Sequence, residues 1–168
     1  MFKKFYPSVY YKSTYAVNFQ EYYEKGFRGI IFDIDNTLVP HGADADERAV
    51  RLFQTLKNIG FDTCLTSNNK EERVQRFNKD IHSHYIYKAN KPAKSGYQKA
   101  MRLMGTNEKN TMFVGDQLFT DVFGANRVGL YSILVAPMHP KEEIQIVLKR
   151  YLEKIVLFVG RNKIDKRF

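Results

Sequence analysis

The sequence predicts an α/β fold in which a parallel sheet is covered by helices on both faces. Two observations carry this. Short runs such as Gly29-Ile30-Ile31-Phe32 and Thr111-Met112-Phe113-Val114 are apolar throughout rather than alternating, as strands buried on both sides require. Between such runs lie stretches with apolar residues at helical spacing, and strands alternating with helices argue for βαβ units. A chain of 168 residues, 43% hydrophobic and 14% aromatic, suffices for one domain with a sizeable core. Within residues 1–168 we distinguish an aromatic, basic arm (1–28), a core (29–135), and a C-terminal helix and tail (136–168).

The arm reads as irregular and crowded with rings, among them Tyr6, Tyr10, Tyr11, Tyr15, Phe19 and Tyr22. Asn18 can cap a short helix that Gly26 ends. A buried strand over 29–34 follows, then a helix over 45–59 with Ala49, Leu52, Phe53, Leu56 and Ile59 on one stripe and Gly60 as its stop. A strand over 61–66 ends in the polar cluster Thr66-Ser67-Asn68-Asn69. A helix over 70–78 and a short strand over 85–87 come next. Lys91-Pro92 opens a helix over 93–104 that Gly105 terminates. A strand over 111–114, a helix over 118–126, a strand over 130–135 and a helix from 141 to about 157 complete the series.

The net charge of +9 is unevenly spread: +3 over residues 1–32, −1 over 33–90, +3 over 91–140 and +4 over 141–168. Basic ends attract anions, whether nucleic acid, lipid head groups or phosphorylated metabolites, or serve only as solvated surface. The single cysteine, Cys64, excludes an internal disulfide and Cys-based zinc or iron–sulfur sites, and it sits in an apolar strand as a small hydrophobe. The first residues lack the apolar run of a signal peptide, and the longest apolar stretches, such as 155–159, fall far short of the ~20 residues of a membrane span. The expected setting is cytoplasmic. His41 reads as a loop residue near the first motif, His82 and His84 share a polar loop, and His139 lies in a Pro-flanked turn.

In a parallel α/β sheet the ligand sits beyond the carboxyl ends of the strands. Four groups of residues fall there. Asp33-Ile34-Asp35-Asn36-Thr37 follows an apolar strand, and carboxylates at i and i+2 can converge on one site that a cation compensates. Gly115-Asp116 and Asp121 follow another strand and can supply a metal ligand and a supporting partner, although Asp116 would also serve as a helix cap. Ser67 and the following backbone N–H groups can hold phosphate oxygens. Lys91 can bring a positive charge to the same place.

Together, in this order, the four groups resemble the haloacid-dehalogenase (HAD) superfamily of phosphohydrolases, whose motifs run Asp-x-Asp-x-Thr, Ser/Thr, Lys and Gly-Asp-x-x-x-x-Asp. Within it the chain looks closest to the class IIIA phosphatases of the YqeG type, through Asp35-Asn36-Thr37-Leu38-Val39-Pro40, Ser67-Asn68-Asn69 and Lys91-Pro92. The resemblance implies a three-layer Rossmann-like HAD fold. It implies Asp33 as nucleophile, forming an aspartyl phosphate, and Asp35 as acid and then base. It implies Mg²⁺ held by Asp33, the Asp35 carbonyl and Asp116, and a phosphoryl group held by Thr37, Ser67, Asn68 and Lys91, with Asp121 in support. The intervals from Asp33 to Ser67 and from Ser67 to Lys91 leave no space for a sizeable cap domain, and an open site suits a bulky phosphoester. Relatives in this group act on phosphatidylglycerophosphate, so a phospholipid head group is a candidate substrate and an anionic membrane a candidate peripheral partner; nucleic acid is not expected. A non-catalytic protein binding RNA or anionic membrane on this fold is the alternative reading.

Overall fold

The computed structural model of the chain describes residues 2–138, 144–161 and 164–167. Its strands are β1 (Val9–Tyr11), β2 (Gly29–Phe32), β3 (Asp62–Thr66), β4 (His84–Ile86), β5 (Thr111–Gly115), β6 (Tyr131–Val135) and β7 (Asp165–Arg167). Its helices are α1 (Phe19–Glu24), α2 (Glu47–Ile59), α3 (Glu71–Asn78), α4 (Lys94–Met104), α5 (Phe123–Arg127) and α6 (Ile144–Gly160). The strands form one parallel sheet in the order β4-β3-β2-β5-β6-β1-β7.

Alternation along the strands sorts side chains between the two faces. Ile30, Phe32, Met112, Val114, Ile133 and Val135 point to one face, where α1, α2 and α3 supply Phe19, Tyr22, Phe53, Leu56, Val74 and Phe77. Ile31, Cys64 and Phe113 point to the other, against Tyr97, Ala100 and Met104 of α4 and Ala125 of α5. Leu134 faces the same way and meets Leu118, Val156 and Leu157, which places α6 on this second face. Three layers result, as expected.

Element ends follow local chemistry. Asp46 caps α2 by accepting from the Ala49 N–H at 2.8 Å, and Gly60 ends it with φ of 118°, a left-handed conformation costly for other residues. Asn18 caps α1 as predicted, accepting from the Glu21 N–H. The helix predicted over 118–126 is instead a π-type turn, Leu118–Val122, running into α5. His84 lies at the start of β4 and pairs with Asp62 across the sheet at 3.2 Å, rather than lying in a loop.

The arm departs from the irregular chain expected of it. Its segment Val9–Tyr11 is a strand inserted between β6 and β7, with Val9 opposite Ile133 and Asp165. Tyr11 is buried and its hydroxyl meets that of Tyr22 at 2.9 Å, while the Tyr15 hydroxyl donates to the Leu38 carbonyl at 2.6 Å. Thus the arm packs into the domain and widens its sheet. The predicted turn at His139-Pro140, the start of the helix at 141, and Lys163 and Phe168 lie outside the described residues.

Candidate active site

The first two strands outward from β2, in opposite directions, are β3 and β5, so the chain reverses its direction of winding at β2. Such a switch point opens a crevice at the carboxyl ends of the strands. Asp33 leaves β2, Ser67 leaves β3 and Asp116 leaves β5, and all three face this crevice region side by side. The Asp33 N–H donates to the Val114 carbonyl at 3.0 Å, extending the β2–β5 register into the site. Beyond it the chain turns tightly: Asn36 adopts φ of 63°, and its N–H donates to the Val39 carbonyl at 2.7 Å.

Asp33, Asp116 and Asp121 are all buried, and one oxygen from each lies within 4.8 Å of the others. Such crowding needs positive charge, and Lys91 supplies it. Its ammonium, itself buried, donates to Asp33 Oδ1 at 2.6 Å and to Asp121 Oδ1 at 2.7 Å. Burial pushes the Asp33 carboxyl up to about 6, with Lys91 pulling the other way and Asp121 adding repulsion. Burial also raises Asp116, with Asp33 and Asp121 beside it adding to the effect. On its outer side Asp116 is held by Arg150 of α6 through both its side chain and its carbonyl. Glu153, one turn on, is buried and accepts from the Leu118 N–H at 2.7 Å, tying α6 to the loop after β5.

Gly115 is a requirement of this packing. A Cβ there would lie 2.5 Å from Asp121 Oδ2, so any larger residue would displace the carboxylate that holds Lys91. The Gln117 N–H donates to that same Oδ2 at 3.1 Å, so both Asp121 oxygens are engaged. Asp121 is therefore a partner of Lys91.

Two residues expected on the phosphoryl group also contact the charged residues of the site. The Thr37 hydroxyl is turned to the carboxylates, 3.0 Å from Asp33 Oδ2 and 3.2 Å from Asp116 Oδ1, and bridges them. The Asn68 amide is spent on the backbone of Lys91: its Oδ1 accepts from the Lys91 N–H at 2.7 Å and its Nδ2 donates to the Lys91 carbonyl at 3.1 Å. Both thus position charged residues, and Asn68 also lines the cleft. Ser67 Oγ accepts from the Asn69 N–H at 3.0 Å and lies on the cleft, whose lining of about 270 Å³ also includes Asp33, Asp35 and Lys91.

Asp35 stands apart from the carboxylate cluster. Its Oδ1 accepts from Arg73 Nη2 at 2.9 Å and from the Gly42 N–H at 2.7 Å, while among the described residues Oδ2 has no hydrogen bond, and the side chain borders the cleft. Arg73 is buried on α3, with Nε and Nη1 lacking hydrogen-bond partners among the described residues, so Asp35 is its main polar contact there. Sequence reasoning missed Arg73, Arg150 and Glu153, and it left His41, which lines the cleft, as a loop residue. One signal was present: Arg73 shares the inward face of its helix with Val74 and Phe77, an unusual place for a charge.

Three carboxylates with hard oxygen donors, buried together and with two of them shifted toward the protonated form, make a set that a small divalent cation would stabilise.

Comparison with known proteins agrees with this geometry. The family model of haloacid dehalogenase-like hydrolases matches residues 43–129, which leaves the Asp33–Thr37 loop ahead of the matched segment. Over 97% of its length the chain is 34% identical to "Probable phosphatase YqeG" of Bacillus subtilis, covering 96% of that protein. It is 26% identical to phosphatidylglycerophosphate phosphatase 1, chloroplastic/mitochondrial, of Arabidopsis thaliana over 88% of the chain, spanning about half (48%) of that longer protein. The cobalt-bound deoxy-D-mannose-octulosonate 8-phosphate phosphatase of Haemophilus influenzae superposes with a TM-score of 0.54 at 11% identity, covering 80% of this chain and 89% of that one, a likeness of fold. The chain belongs to the haloacid dehalogenase-like hydrolase family, among its YqeG-like phosphatases.

Proposed function

We propose that the chain hydrolyses phosphomonoesters with Mg²⁺ through an aspartyl phosphate on Asp33, and that its substrate is a bulky ester such as a phospholipid head group. The observation that carries the chemistry is the buried ion pair of Asp33 with Lys91 at a strand end, beside Asp116 and Asp121. Asp33, Asp116 and the Asp35 carbonyl would hold the Mg²⁺, which supplies positive charge to the phosphoryl oxygens when bound.

In the first half-reaction an Asp33 carboxylate oxygen bonds to phosphorus as the bond to the leaving oxygen breaks. Asp35 gives that oxygen its proton, so the alcohol leaves neutral. In the second half-reaction the Asp35 carboxylate takes a proton from water, whose oxygen attacks phosphorus as the Asp33–phosphorus bond breaks. Phosphate leaves, and both carboxyl groups return to their starting states. The anchoring of Asp35 Oδ1 by Arg73 and Gly42 leaves Oδ2 for this proton traffic. Lys91 holds Asp33 and offsets the negative charge gathering beside it.

A lipid phosphate is supported by the similarity to the plant phosphatidylglycerophosphate phosphatase. The intervals between the motifs, which hold only a loop, α2 and β3 and then α3 and β4, fit a site open to a bulky ester. The test is a panel of phosphoesters assayed with and without Mg²⁺: phosphatidylglycerophosphate in mixed micelles, sugar phosphates and nucleotides. Mg²⁺-dependent phosphate release, highest on the lipid ester, is expected. Release from no substrate would favour the non-catalytic binding reading.

A further inference from the structure

Helix α6 presents apolar side chains to the outside. Its inner side carries Arg150 and Glu153 at the site loop, then Val156, Leu157 and Gly160. Tyr151 (68%), Leu152 (50%), Ile155 (56%), Phe158 (67%) and Val159 (68%) are exposed. At about 100° per residue these five positions fall on one stripe about 120° wide. A contiguous apolar stripe of this kind is uncommon on a lone soluble domain and marks a contact surface.

The charges around the stripe identify the partner. Lys149, Lys154 and Arg161 are exposed along its borders, and the one acid among residues 149–161, Glu153, is buried on the opposite side. The cations lie alongside the rings: Lys154 Nζ is 5.9 Å from the Tyr151 centroid, and the Arg161 guanidinium is 5.0 Å from that of Phe158. At the helix's inner edge Phe5 packs against the same buried cluster as Val156 and Leu157, bringing the exposed Lys3 and Lys4 to the same region. We propose that this face of α6 docks on an anionic lipid bilayer, with the rings and aliphatic side chains entering the interface and the flanking cations meeting acidic head groups.

A second copy of the chain is a poorer partner, because a two-fold contact would set these like charges against one another. Direction adds to the case. Arg150 contacts Asp116 at the carboxyl end of the sheet, while Gly160 abuts the Tyr6 ring just ahead of β1. The Arg150–Glu153 turn of the helix therefore lies at the catalytic loop, and docking the helix would bring that loop to the level of the head groups. The aromatic arm is a poorer candidate for this surface, since its Tyr11 is consumed in the core.

The inference rests on the phosphatase reading for its purpose, and the two are tested separately. The full chain is sedimented with vesicles of phosphatidylcholine alone and of phosphatidylcholine with phosphatidylglycerol, across a salt series. At least tenfold stronger binding to the anionic vesicles is expected, with part of it persisting as salt rises, since apolar burial is not screened. Ile155→Ser combined with Phe158→Ser should lower that binding at least tenfold, and Lys154→Glu with Arg161→Glu should abolish the preference for anionic lipid. All these positions are exposed, so melting temperature and turnover of a soluble phosphomonoester should stay unchanged in both variants. Absence of anionic-vesicle binding by the natural chain, or its retention in the Ile155/Phe158 variant, would overturn the proposal. So would a dimer in sedimentation velocity that Phe158→Ser dissociates while vesicles remain unbound, or RNA binding that displaces the vesicles and falls steeply with salt. Vesicle binding without any soluble turnover would leave this inference standing and remove the phosphatase reading.

Discussion

Lys91→Met removes the positive charge from the site while keeping most of the side-chain volume. Lys91 is buried and ion-paired at 2.6 and 2.7 Å to two buried carboxylates, Asp33 and Asp121. Breaking a buried pair from one side leaves an uncompensated charge and costs about 3–5 kcal/mol. For a chain of this size 1 kcal/mol moves the melting temperature by about 2–4 °C, so a drop of roughly 6–20 °C is expected in EDTA. Mg²⁺ should return part of it, because the stranded carboxylates gain a cation. Burial alone would lower the Lys91 ammonium, but Asp121 and Asp33 outweigh this and hold it well above its ordinary 10.5. Its contribution is therefore complete below that pH and lost only in strong alkali. In the variant the deficit should shrink toward acid pH, where the carboxyl groups take up protons. The assay is thermal unfolding of both proteins with EDTA and with Mg²⁺ between pH 5 and 8. An unchanged melting temperature in EDTA would refute the reasoning that Lys91 compensates this cluster.

Three further outcomes follow from the same geometry. Asp116→Asn should raise the Mg²⁺ concentration needed for half-maximal turnover by at least tenfold, with activity partly recovered at high Mg²⁺; an unchanged Mg²⁺ titration would place the metal elsewhere. Arg73→Leu frees Asp35 from its anchor, so turnover of an alkyl phosphate, which needs a proton on its leaving oxygen, should fall at least tenfold more than that of a nitrophenyl phosphate. Equal losses on the two substrates, or failure of Arg73→Lys to restore the alkyl ester, would show that Arg73 is structural only. Finally, Asp33 titrates near 6 in the fold against 3.8 ordinarily, so the folded chain binds the extra proton between those values. Metal-free protein should gain stability as pH falls from 7 toward 4, by up to about 3 kcal/mol, and Mg²⁺ should cancel the gain. Denaturant unfolding across that range would expose the opposite slope if the carboxylate were not buried.

What was legible in the sequence depended on how much each element owes to local pattern. Strands β2 and β5 are apolar runs buried on both faces, and α2 has an apolar stripe and a terminal glycine, so all three were readable, though the Asp46 cap that starts α2 at Glu47 was not. Strands β1 and β7 have three residues each, and Asp165-Lys166-Arg167 carries no apolar period at all; pairing with neighbours far along the chain makes them strands. The site divides similarly. Asp33, Ser67, Lys91 and Asp116 follow strands or open a helix, positions that topology brings together. The protein contacts of Thr37 and Asn68 were not legible, because a hydroxyl or amide near a phosphate site can serve the ligand, the protein or both. Here Thr37 bonds two buried carboxylates and Asn68 the Lys91 backbone. Arg73 and Arg150 reach the site from helices 38 and 34 residues away from the carboxylates they hold, a partnership that no spacing rule encodes.

The central claim is that Asp33 carries the phosphoryl group. Rapid acid quench of the Mg²⁺-loaded chain during turnover of a phosphomonoester, followed by peptide mass spectrometry, tests it most directly. One hydroxylamine-labile phosphoryl group on Asp33, absent from Asp33→Asn along with turnover, is the result expected. A phosphoryl group on another residue, or steady turnover by Asp33→Asn, would contradict it.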